Sequence, residues 1–463
     1  MTESSLRTKT TTNKIAVMGE TAAVEDVPFE KQEKDQKNTN AVAVDHKSTS
    51  SKLKQRIEEL TILRAFAFLA IVLQHSIGEY IVREDINRTD SILISLLYHF
   101  TRFGTLTFVF ISTVLLFYSR SSAAQHSTFL KRRAQGLLIP FALWTLIYSA
   151  FILQGDLFTV EGWTKVAQQL INPTYGYHLW FVLMIFQLYF FFPWLLKIVH
   201  KVQMRMRAIT LEKGRKIGKR RIALLVIGIG LLHLALMDWS YRIAPGWTAD
   251  ASGAAAYLLG HRTMFVGMYI FYMALGILCA YRLSEWRKWV QRVLPWSAAV
   301  FGAAYLYSSY RLFAGGVDPV NVNISTYLKP SIAILAVSQM LLLYVAALNI
   351  VKRQGTLYRC LKWIGTYSFP AYLVHALVLS GVALWTRTLM LEGQHFIVTI
   401  VTWIVVAVGS LLLSKMMERM PYGAWLTGAG SKSKSQSCII GQEQLNRAEQ
   451  TDQRKGSKPV FQK

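Results

Sequence analysis

The sequence predicts an all-α polytopic membrane protein with about ten transmembrane helices and both termini on the cytoplasmic side. Of its 463 residues, 52% are hydrophobic and only 17% are charged, whereas an ordinary soluble domain has about a quarter charged residues. Apolar runs of about 20 residues, the length of one bilayer crossing, recur along the chain. Positively charged residues are concentrated in alternate loops between these runs.

Ten apolar runs of roughly this length follow one another. They cover about 60–78, 92–117, 137–154, 178–196, 222–238, 262–281, 293–309, 328–350, 363–385 and 396–414. The seventh is the weakest, because it is short and rich in small residues. An even number of crossings places both tails on the same side of the membrane.

The distribution of charge supports this topology. The chain has 51 Lys and Arg against 26 Asp and Glu, a net charge of +25. If the N-terminus is cytoplasmic, the four inner loops contain four, ten, four and four basic residues, and the outer loops one or two each. This alternation is typical of the positive-inside rule. It argues against nucleic acid as a partner, since the charge is spread through short loops instead of one soluble face.

The composition also predicts the domain organisation. Residues 1–56 are polar and almost free of aromatics, which is typical of a disordered tail. Residues 57–420 form the predicted membrane domain, and 421–463 form a second, basic, disordered tail. The three cysteines are widely spaced and match neither a disulfide framework nor a zinc pattern, so no metal is expected.

Ionisable residues inside a span are costly and indicate candidate functional sites. The first run contains Arg64 and His75, eleven positions apart and therefore on one helix face, about 16 Å apart along the axis. Glu79 follows His75 by one turn on the same face and is predicted to orient its ring. The alternative is a snorkelling arginine and a histidine that merely packs.

Other spans carry further polar candidates. His99 and Arg102 share a face of the second run, where Arg102 is either buried or at the outer interface. The ninth run places His375 at a depth close to that of His75, with Tyr367 and Ser368 nearer the inside. Each of these histidines has the alternative of simple packing.

His178 and Trp180 open the fourth run, next to Tyr175 and Tyr177. This cluster is typical of an interfacial aromatic belt. A platform on which sugars stack is the alternative. The sequence contains no Gly-rich phosphate loop, metal-ligand cluster or Ser-His-Asp order.

The first run resembles the opening motif of the acyltransferase 3 family, polytopic membrane proteins that acylate cell-surface and secreted glycans. In that family an arginine is followed, after ten intervening residues, by a histidine in the first membrane helix, and Arg64 and His75 have the same spacing. The family's apolar helix, roughly FFFISGFLL, is similar to FVFISTVLLF here. This segment keeps Ser112 but has Thr113 where glycine is usual.

Three later segments, FLKRRAQGLLIPFALW, HLWF and SFPAYLVH, also resemble family signatures, so the similarity covers about 60–415. The first is a basic segment that leads into the third helix. The family often has two arginines three apart there, whereas Arg133 is followed at that spacing by Gly136. If that pair binds the donor, Lys131, Arg132 or Arg102 must take its place.

The resemblance implies transfer of an acyl group, expected to be acetyl, from cytoplasmic acyl-CoA to a hydroxyl of an extracytoplasmic carbohydrate, such as an exopolysaccharide or a cell-wall glycan. Acyl-CoA is then a co-substrate, and no tightly bound cofactor is expected. The expected partners are acyl-CoA, the carbohydrate acceptor and the lipid bilayer of the cell membrane. Arginine suits the phosphates of CoA because it binds phosphate bidentately.

These expectations assign roles to particular residues. The catalytic candidates are Arg64, His75 and Glu79, with His75 deprotonating the acceptor hydroxyl or relaying the acyl group. The candidates for donor binding are Lys131, Arg132, Arg133 and Arg102. The candidates for acceptor binding or support are His99, Ser112, His178, Trp180, Tyr367, Ser368 and His375.

Two other functions are alternatives. The first is a transporter that exports a polysaccharide or lipid-linked sugar without acyl transfer. Transporters often contain internal repeats, and the Arg64–His75 pair has no counterpart in spans five to seven. The second is a sensor or scaffold that acts through its tails.

Overall fold

The computed structural model describes a unit that begins at Ile57. The described residues are 57–119, 126–314, 316, 320, 326–391 and 393–428. The predicted N-terminal tail therefore lies outside them. The predicted C-terminal tail begins at 421; its residues 421–428 are described and include the short helix Gly423–Thr427, whereas 429–463 lie outside.

Within the described residues every regular element is a helix. The α-helices are α1 (Glu58–Tyr80), α2 (Arg88–Thr101), α3 (Phe103–Ser119), α4 (His126–Leu153), α5 (Val160–Ile171), α6 (Trp180–Lys213), α7 (Arg215–Asp238), α8 (Ala244–Asp250), α9 (Gly253–Gly260), α10 (Ile270–Tyr281), α11 (Leu283–Arg292), α12 (Leu294–Phe313), α13 (Pro330–Arg353), α14 (Thr356–Thr386), α15 (His395–Arg419) and α16 (Gly423–Thr427). Short 3₁₀ or π segments cover Gln154–Phe158, Trp239–Ile243, Arg262–Met264 and Val266–Tyr269.

The prediction of an all-α polytopic membrane protein is confirmed, but the structure differs from ten uniform crossings. Among the described residues, eight helical segments are long and apolar enough to span a bilayer. The sixth predicted run is instead part of a bent pair, Val266–Tyr281 and Leu283–Arg292, with an angle of 118° between its halves. The seventh run forms the 20-residue helix α12, whose small and polar residues keep it out of that set. Ten crossings and cytoplasmic termini stay predictions.

Helix α1 lies at the centre of the bundle and packs against α2, α3, α13, α14 and α15. It is apolar on nearly all sides, as expected of a helix surrounded by protein. Near its beginning, the buried Glu59 receives a bidentate hydrogen bond from Arg287 of α11, with distances of 2.7 and 3.0 Å. The Tyr344 hydroxyl of α13 donates a third, at 3.1 Å. These bonds connect α11, the second half of the bent pair, to the beginning of α1.

Two glycines allow neighbouring helices to approach α1 closely. At Gly104 of α3, an added Cβ would lie 2.9 Å from the Ala67 carbonyl oxygen. At Gly365 of α14, an added Cβ would overlap the Thr61 carbonyl oxygen. Only glycine permits this separation of α1 and α14, because a backbone carbonyl within a helix has no freedom to move aside.

Gly365→Ala is therefore expected to destabilise the protein by about 1–3 kcal/mol, the usual cost of overpacking a core. The matched control is Gly381→Ala in the same helix, because an added Cβ there meets nothing within 4 Å. Thermal unfolding in detergent measures both variants. Equal melting temperatures for the two would contradict the close approach at Gly365.

Candidate active site

A cavity of about 420 Å³ lies inside the membrane domain, against the central helix α1. It combines ring, amide, hydroxyl and carboxylate side chains with a few apolar ones. Its lining is Ile71, Gln74, His75, Gly78, Glu79, Tyr98, Thr105, Tyr177, His178, Trp180, Phe181, Tyr327, Tyr372 and Leu379. A concave, partly polar space of this kind is the usual form of a small-molecule site.

His75 and His375 form a hydrogen-bonded pair at this cavity. His75 Nδ1 lies 3.0 Å from His375 Nε2, and His375 Nδ1 lies 2.6 Å from the Tyr372 carbonyl oxygen. A carbonyl oxygen only accepts, so Nδ1 of a neutral His375 carries the proton and its Nε2 accepts. His75 Nδ1 then donates, which leaves Nε2 of His75 with the lone pair. His375 therefore sets the tautomer in which His75 is a base through Nε2.

His178 is a third ring beside the pair, and it is buried. Its centroid lies 4.6 Å from that of His375 and 6.3 Å from that of His75. Only 2% of His178 is exposed, so its ring packs within the protein, and an interfacial belt of Tyr175, Tyr177 and Trp180 stays a prediction. Its Nε2 lies 3.3 Å from the Leu373 carbonyl oxygen, and the Tyr372 hydroxyl donates to its backbone carbonyl. These bonds hold the start of α6 against α14.

Tyr148 of α4 braces the segment of α14 that carries His375. Its hydroxyl donates to the Leu373 carbonyl at 2.9 Å and accepts from the Leu377 amide at 3.1 Å. These two backbone groups are the i and i+4 partners on either side of His375. The Tyr148 hydroxyl therefore lies between these two backbone groups, in the turn of α14 that carries His375, and it helps to fix the orientation of the His375 ring.

Arg102 is buried between aromatic rings at the junction of α2 and α3. Its guanidinium carbon lies 4.2 Å from the Tyr98 ring centroid and 4.6 Å from that of Tyr327. It also donates to the Tyr98 hydroxyl at 2.8 Å. The Tyr327 hydroxyl donates to Gln74 at 2.9 Å and accepts from Thr105 at 3.2 Å. Tyr98 and Tyr327 line the cavity, so this cation lies directly behind its wall.

Glu79 lines the cavity but does not orient the His75 ring. Its carboxylate accepts two hydrogen bonds from Arg387, at 2.6 and 2.8 Å. The prediction of a Glu79–His75 contact is therefore wrong, because an arginine fork just beyond α14 takes both carboxylate oxygens. His375 takes the orienting role that the sequence suggested for Glu79.

Beyond Glu79, a polar cluster joins the loop after α1 to the start of α15. Asp85 accepts from the Leu391 amide at 3.0 Å and lies 3.1 Å from Nε2 of the buried His395. Asp90 accepts from the His395 amide at 2.9 Å, and Arg83 lies 3.8 Å from Asp85. The Leu391 amide, with smaller contributions from His395 and Arg83, lowers the pKa of Asp85 below its usual 3.8.

The basic segment lies on α4, outside the lining of the cavity. Lys131 and Arg132 are exposed, and the half-buried Arg133 lies 5.3 Å above the Tyr189 ring of α6. Gly136 packs against Gly428 beyond α16, where an added Cβ on Gly428 would lie 2.5 Å from the Gly136 carbonyl oxygen. The chain's own backbone therefore occupies the neighbourhood in which the family often has a second arginine.

Four other predicted residues also lie outside the cavity lining. His99 and Ser368 are buried, and the Ser368 hydroxyl donates to the Gly365 carbonyl at 3.0 Å. Ser112 and Tyr367 are partly buried in α3 and α14. The structure does not bring these four to His75. Among the described residues, no group of three or more His, Cys, Asp or Glu side chains is arranged to hold a metal ion.

Several residues of this site were missed at the level of sequence. Gln74 could have been predicted from the sequence, because it is an amide side chain inside an apolar run and is next to His75. Tyr98, Tyr148, Tyr327 and Tyr372 had none, because a tyrosine in a membrane segment most often packs or sits at an interface. Their roles depend on contacts between helices that are far apart in the chain.

A comparison with protein families identifies residues 57–418 as an acyltransferase domain. The chain belongs to the acyltransferase 3 family. The suspected resemblance is thereby confirmed over the whole described bundle up to the end of α15. Neither the comparison with curated proteins nor that with solved structures gave a match. The family and the apolar helices together identify the protein as a membrane acyltransferase.

The chain's departure from the family pattern at Thr113 has a steric explanation. An added Cβ on Gly276 of α10 would lie 2.8 Å from the Thr113 Cβ and 2.9 Å from the Phe110 carbonyl oxygen. Gly276 therefore supplies the space between α3 and α10 that a glycine at 113 would otherwise supply. The Thr113 hydroxyl donates to the Val109 carbonyl at 2.9 Å, so it is satisfied within its own helix.

Asp85→Asn is expected to lower the melting temperature at neutral pH and to flatten the acid side of the stability curve. Because the pKa of Asp85 is lower in the folded protein than 3.8, its ionised form stabilises the fold. That contribution is present above the unfolded pKa and is lost as the pH falls through the folded pKa. Melting temperatures between about pH 7 and pH 3 measure it, with the exposed Asp250→Asn as control. Parallel curves for wild type and Asp85→Asn would refute this contribution.

Proposed function

We propose that this protein is a membrane O-acyltransferase of the cell membrane. It transfers an acyl group, expected to be acetyl, from cytoplasmic acyl-CoA to a hydroxyl of an extracytoplasmic carbohydrate. The hydrogen-bonded pair of His75 and His375, at the wall of a cavity within an acyltransferase 3 domain, supports this proposal most directly. It supplies an oriented neutral imidazole where two substrates have room to meet.

In the proposed reaction, Nε2 of His75 takes the proton of the acceptor hydroxyl while that oxygen attacks the thioester carbonyl carbon. The new C–O bond forms and the C–S bond breaks, and the thiolate of CoA then takes the proton from His75. Imidazole suits both transfers because its pKa lies near neutrality in water. His375 keeps Nδ1 of His75 engaged throughout, so that the same nitrogen receives and returns the proton.

Arg102 is proposed to stabilise the negative charge that develops on the thioester carbonyl oxygen. It donates to the hydroxyl of Tyr98, which lines the same cavity as His75. Its position between two tyrosine rings fixes the guanidinium before the substrate arrives. A preorganised charge in a water-poor site favours the transition state more than the same charge in water does.

The basic residues are proposed to receive the anionic part of acyl-CoA. Arg64 lies on the same helix face as His75, about 16 Å away along the uninterrupted α1, toward the end predicted to be cytoplasmic. Lys131, Arg132 and Arg133 begin α4 on that predicted side. A cationic entrance and a distant base suit a donor whose phosphates and thioester are separated by a long arm.

The acceptor side of the cavity is proposed to bind a sugar. The Tyr177 ring lies 4.9 Å from the His75 ring, and Trp180 lines the same cavity. Aromatic rings with nearby amide and hydroxyl groups combine apolar faces with hydrogen bonds, which suits a carbohydrate. A host glycan with a free hydroxyl is the expected acceptor.

Export of a polysaccharide without acyl transfer is the alternative function. It requires no particular tautomer of His75 and gives His375 no role. The two functions separate when membranes containing the protein are supplied with acyl-CoA labelled in the acyl group and with glycan. Label in the glycan supports transfer, whereas glycan translocation without label supports export.

His75→Ala is expected to lower acyl transfer by about 10²–10⁴-fold, the usual contribution of a general base. His375→Ala is expected to lower kcat with little change in KM for acyl-CoA, because it only positions His75. His375→Gln should recover part of that loss and shift the pH profile, since its side-chain oxygen also accepts from Nδ1. Labelled transfer assays on membranes with matched protein levels give these values.

The matched control is His200→Ala, an exposed histidine of α6. It should leave transfer unchanged. Wild-type acylation of the host glycan by His75→Ala would overturn the proposed function. If His75 instead carries the acyl group, acid-quenched wild-type protein should retain label in the absence of acceptor, and His75→Ala should retain none.

A further inference from the structure

A second cavity of about 330 Å³ lies between α7, α10, α11, α12 and α13 and is separate in its lining from the cavity at His75. Its walls are almost entirely apolar and include Phe271, Trp289, Trp296, Ile334 and Leu341. The lining residues of α13 run from Ala333 to Leu341, which is about 12 Å along the helix axis. The space is therefore a groove, hereafter the α7–α13 groove, long enough to take a chain lengthwise.

A histidine lies in this apolar groove, in addition to the two serines Ser297 and Ser338. His233 of α7 lines it and is 2% exposed, and neither of its ring nitrogens has a hydrogen-bond partner among the described residues. The hydroxyl of Tyr272, whose ring centroid lies 5.4 Å from that of His233, also has none there. Buried polar groups are nearly always paired, because an unpaired one costs free energy. A histidine placed this way indicates that a ligand supplies the missing oxygen.

The surroundings determine the kind of ligand. Most apolar side chains of α7 are exposed, including Leu224, Ile227 and Leu231, so this helix faces the hydrocarbon of the bilayer. Apolar walls exclude a sugar or a nucleotide. A plain hydrocarbon would fill the groove but leave His233 unpaired. An acyl chain with an ester carbonyl at its end satisfies both the walls and the histidine.

We propose that the α7–α13 groove binds one acyl chain of an ester-linked glycerolipid from the surrounding bilayer. The ester carbonyl accepts a hydrogen bond from His233, and the hydrocarbon runs along α13 toward Trp296. The lipid occupies the space between α7, α10, α11, α12 and α13, and so completes the packing around the bent pair α10 and α11. Lipid binding at this site requires neither acyl-CoA nor a glycan, so it can be tested independently of the proposed acyl transfer.

The test uses the full-length protein in detergent, washed of loosely bound lipid and incubated with equimolar diacyl and dialkyl phosphatidylcholine of equal chain length. The dialkyl lipid has ether links and lacks the carbonyl group. Native mass spectrometry counts the lipids retained per chain. Wild type is expected to retain the ester lipid at least about fivefold over the ether lipid, since a hydrogen bond contributes about 1 kcal/mol.

Two variants test the two parts of the site. His233→Leu replaces the imidazole with an apolar side chain and so removes the hydrogen-bond donor. This variant should therefore retain the ester and the ether lipid equally. Ile334→Trp enlarges a partly exposed residue of the wall and should reduce total retention by one lipid per chain. The exposed His200→Leu is the matched control and should behave as wild type. Thermal unfolding identifies any variant that does not fold.

Equal retention of ester and ether lipid by the wild type would overturn the proposal, whatever the variants do. Retention unchanged in Ile334→Trp would also overturn it, because the lipid counted would then lie elsewhere. The wild-type comparison and Ile334→Trp decide the question even if His233→Leu does not fold.

Discussion

The close contact between α1 and α14 is the constraint on which the candidate site depends. Gly365 lets α14 lie against the Thr61 carbonyl, and further along the same two helices His375 meets His75. Both contacts occur in the same order along the chain, so the helices run in parallel. The residue at 365 thus sets how close the two rings come. A side chain there would push α14 away and separate a hydrogen bond of 3.0 Å, although it lies about 15 Å from His375 along the helix.

Buried polar atoms are nearly always hydrogen-bonded, so each ring nitrogen of the two histidines that does not take part in a reaction needs a hydrogen-bond partner. Backbone carbonyls of α14 meet this need. The Tyr372 carbonyl engages Nδ1 of His375, and the Leu373 carbonyl receives both Tyr148 and His178. Because Tyr148 belongs to α4 and His178 precedes α6, the same few bonds hold three helices together and orient the rings. Positioning of the histidine rings and packing of the helices are therefore one structural feature.

The predictable part of this protein is the part determined within single helices. The length and polarity of the apolar runs predicted an all-α membrane bundle, and the spacing of Arg64 and His75 predicted their shared face, because both follow from local helical geometry. Contacts between helices far apart in the chain were not predictable. The sequence placed His375 at the depth of His75 but did not indicate that the two rings are in contact. It also predicted a contact between Glu79 and His75, because helix spacing gives no information about Arg387, which is 308 residues away and binds Glu79. The catalytic roles of these residues stay predictions.

The two departures from the family pattern have the same physical form. At 113 a threonine replaces the usual glycine, and Gly276 on the facing helix leaves room for it. At 136 a glycine stands where the family often has an arginine, and the backbone at Gly428 fills the space beside it. In each case a change of side-chain volume on one side of a packing interface is compensated by the residue that faces it, as close packing requires. The packing of the bundle is therefore maintained at both positions, whereas the positive charge at 136 is not replaced there. In the proposed function, the anionic donor is therefore bound by other cations, which are Arg64 in α1 and the Lys131–Arg133 segment near the start of α4.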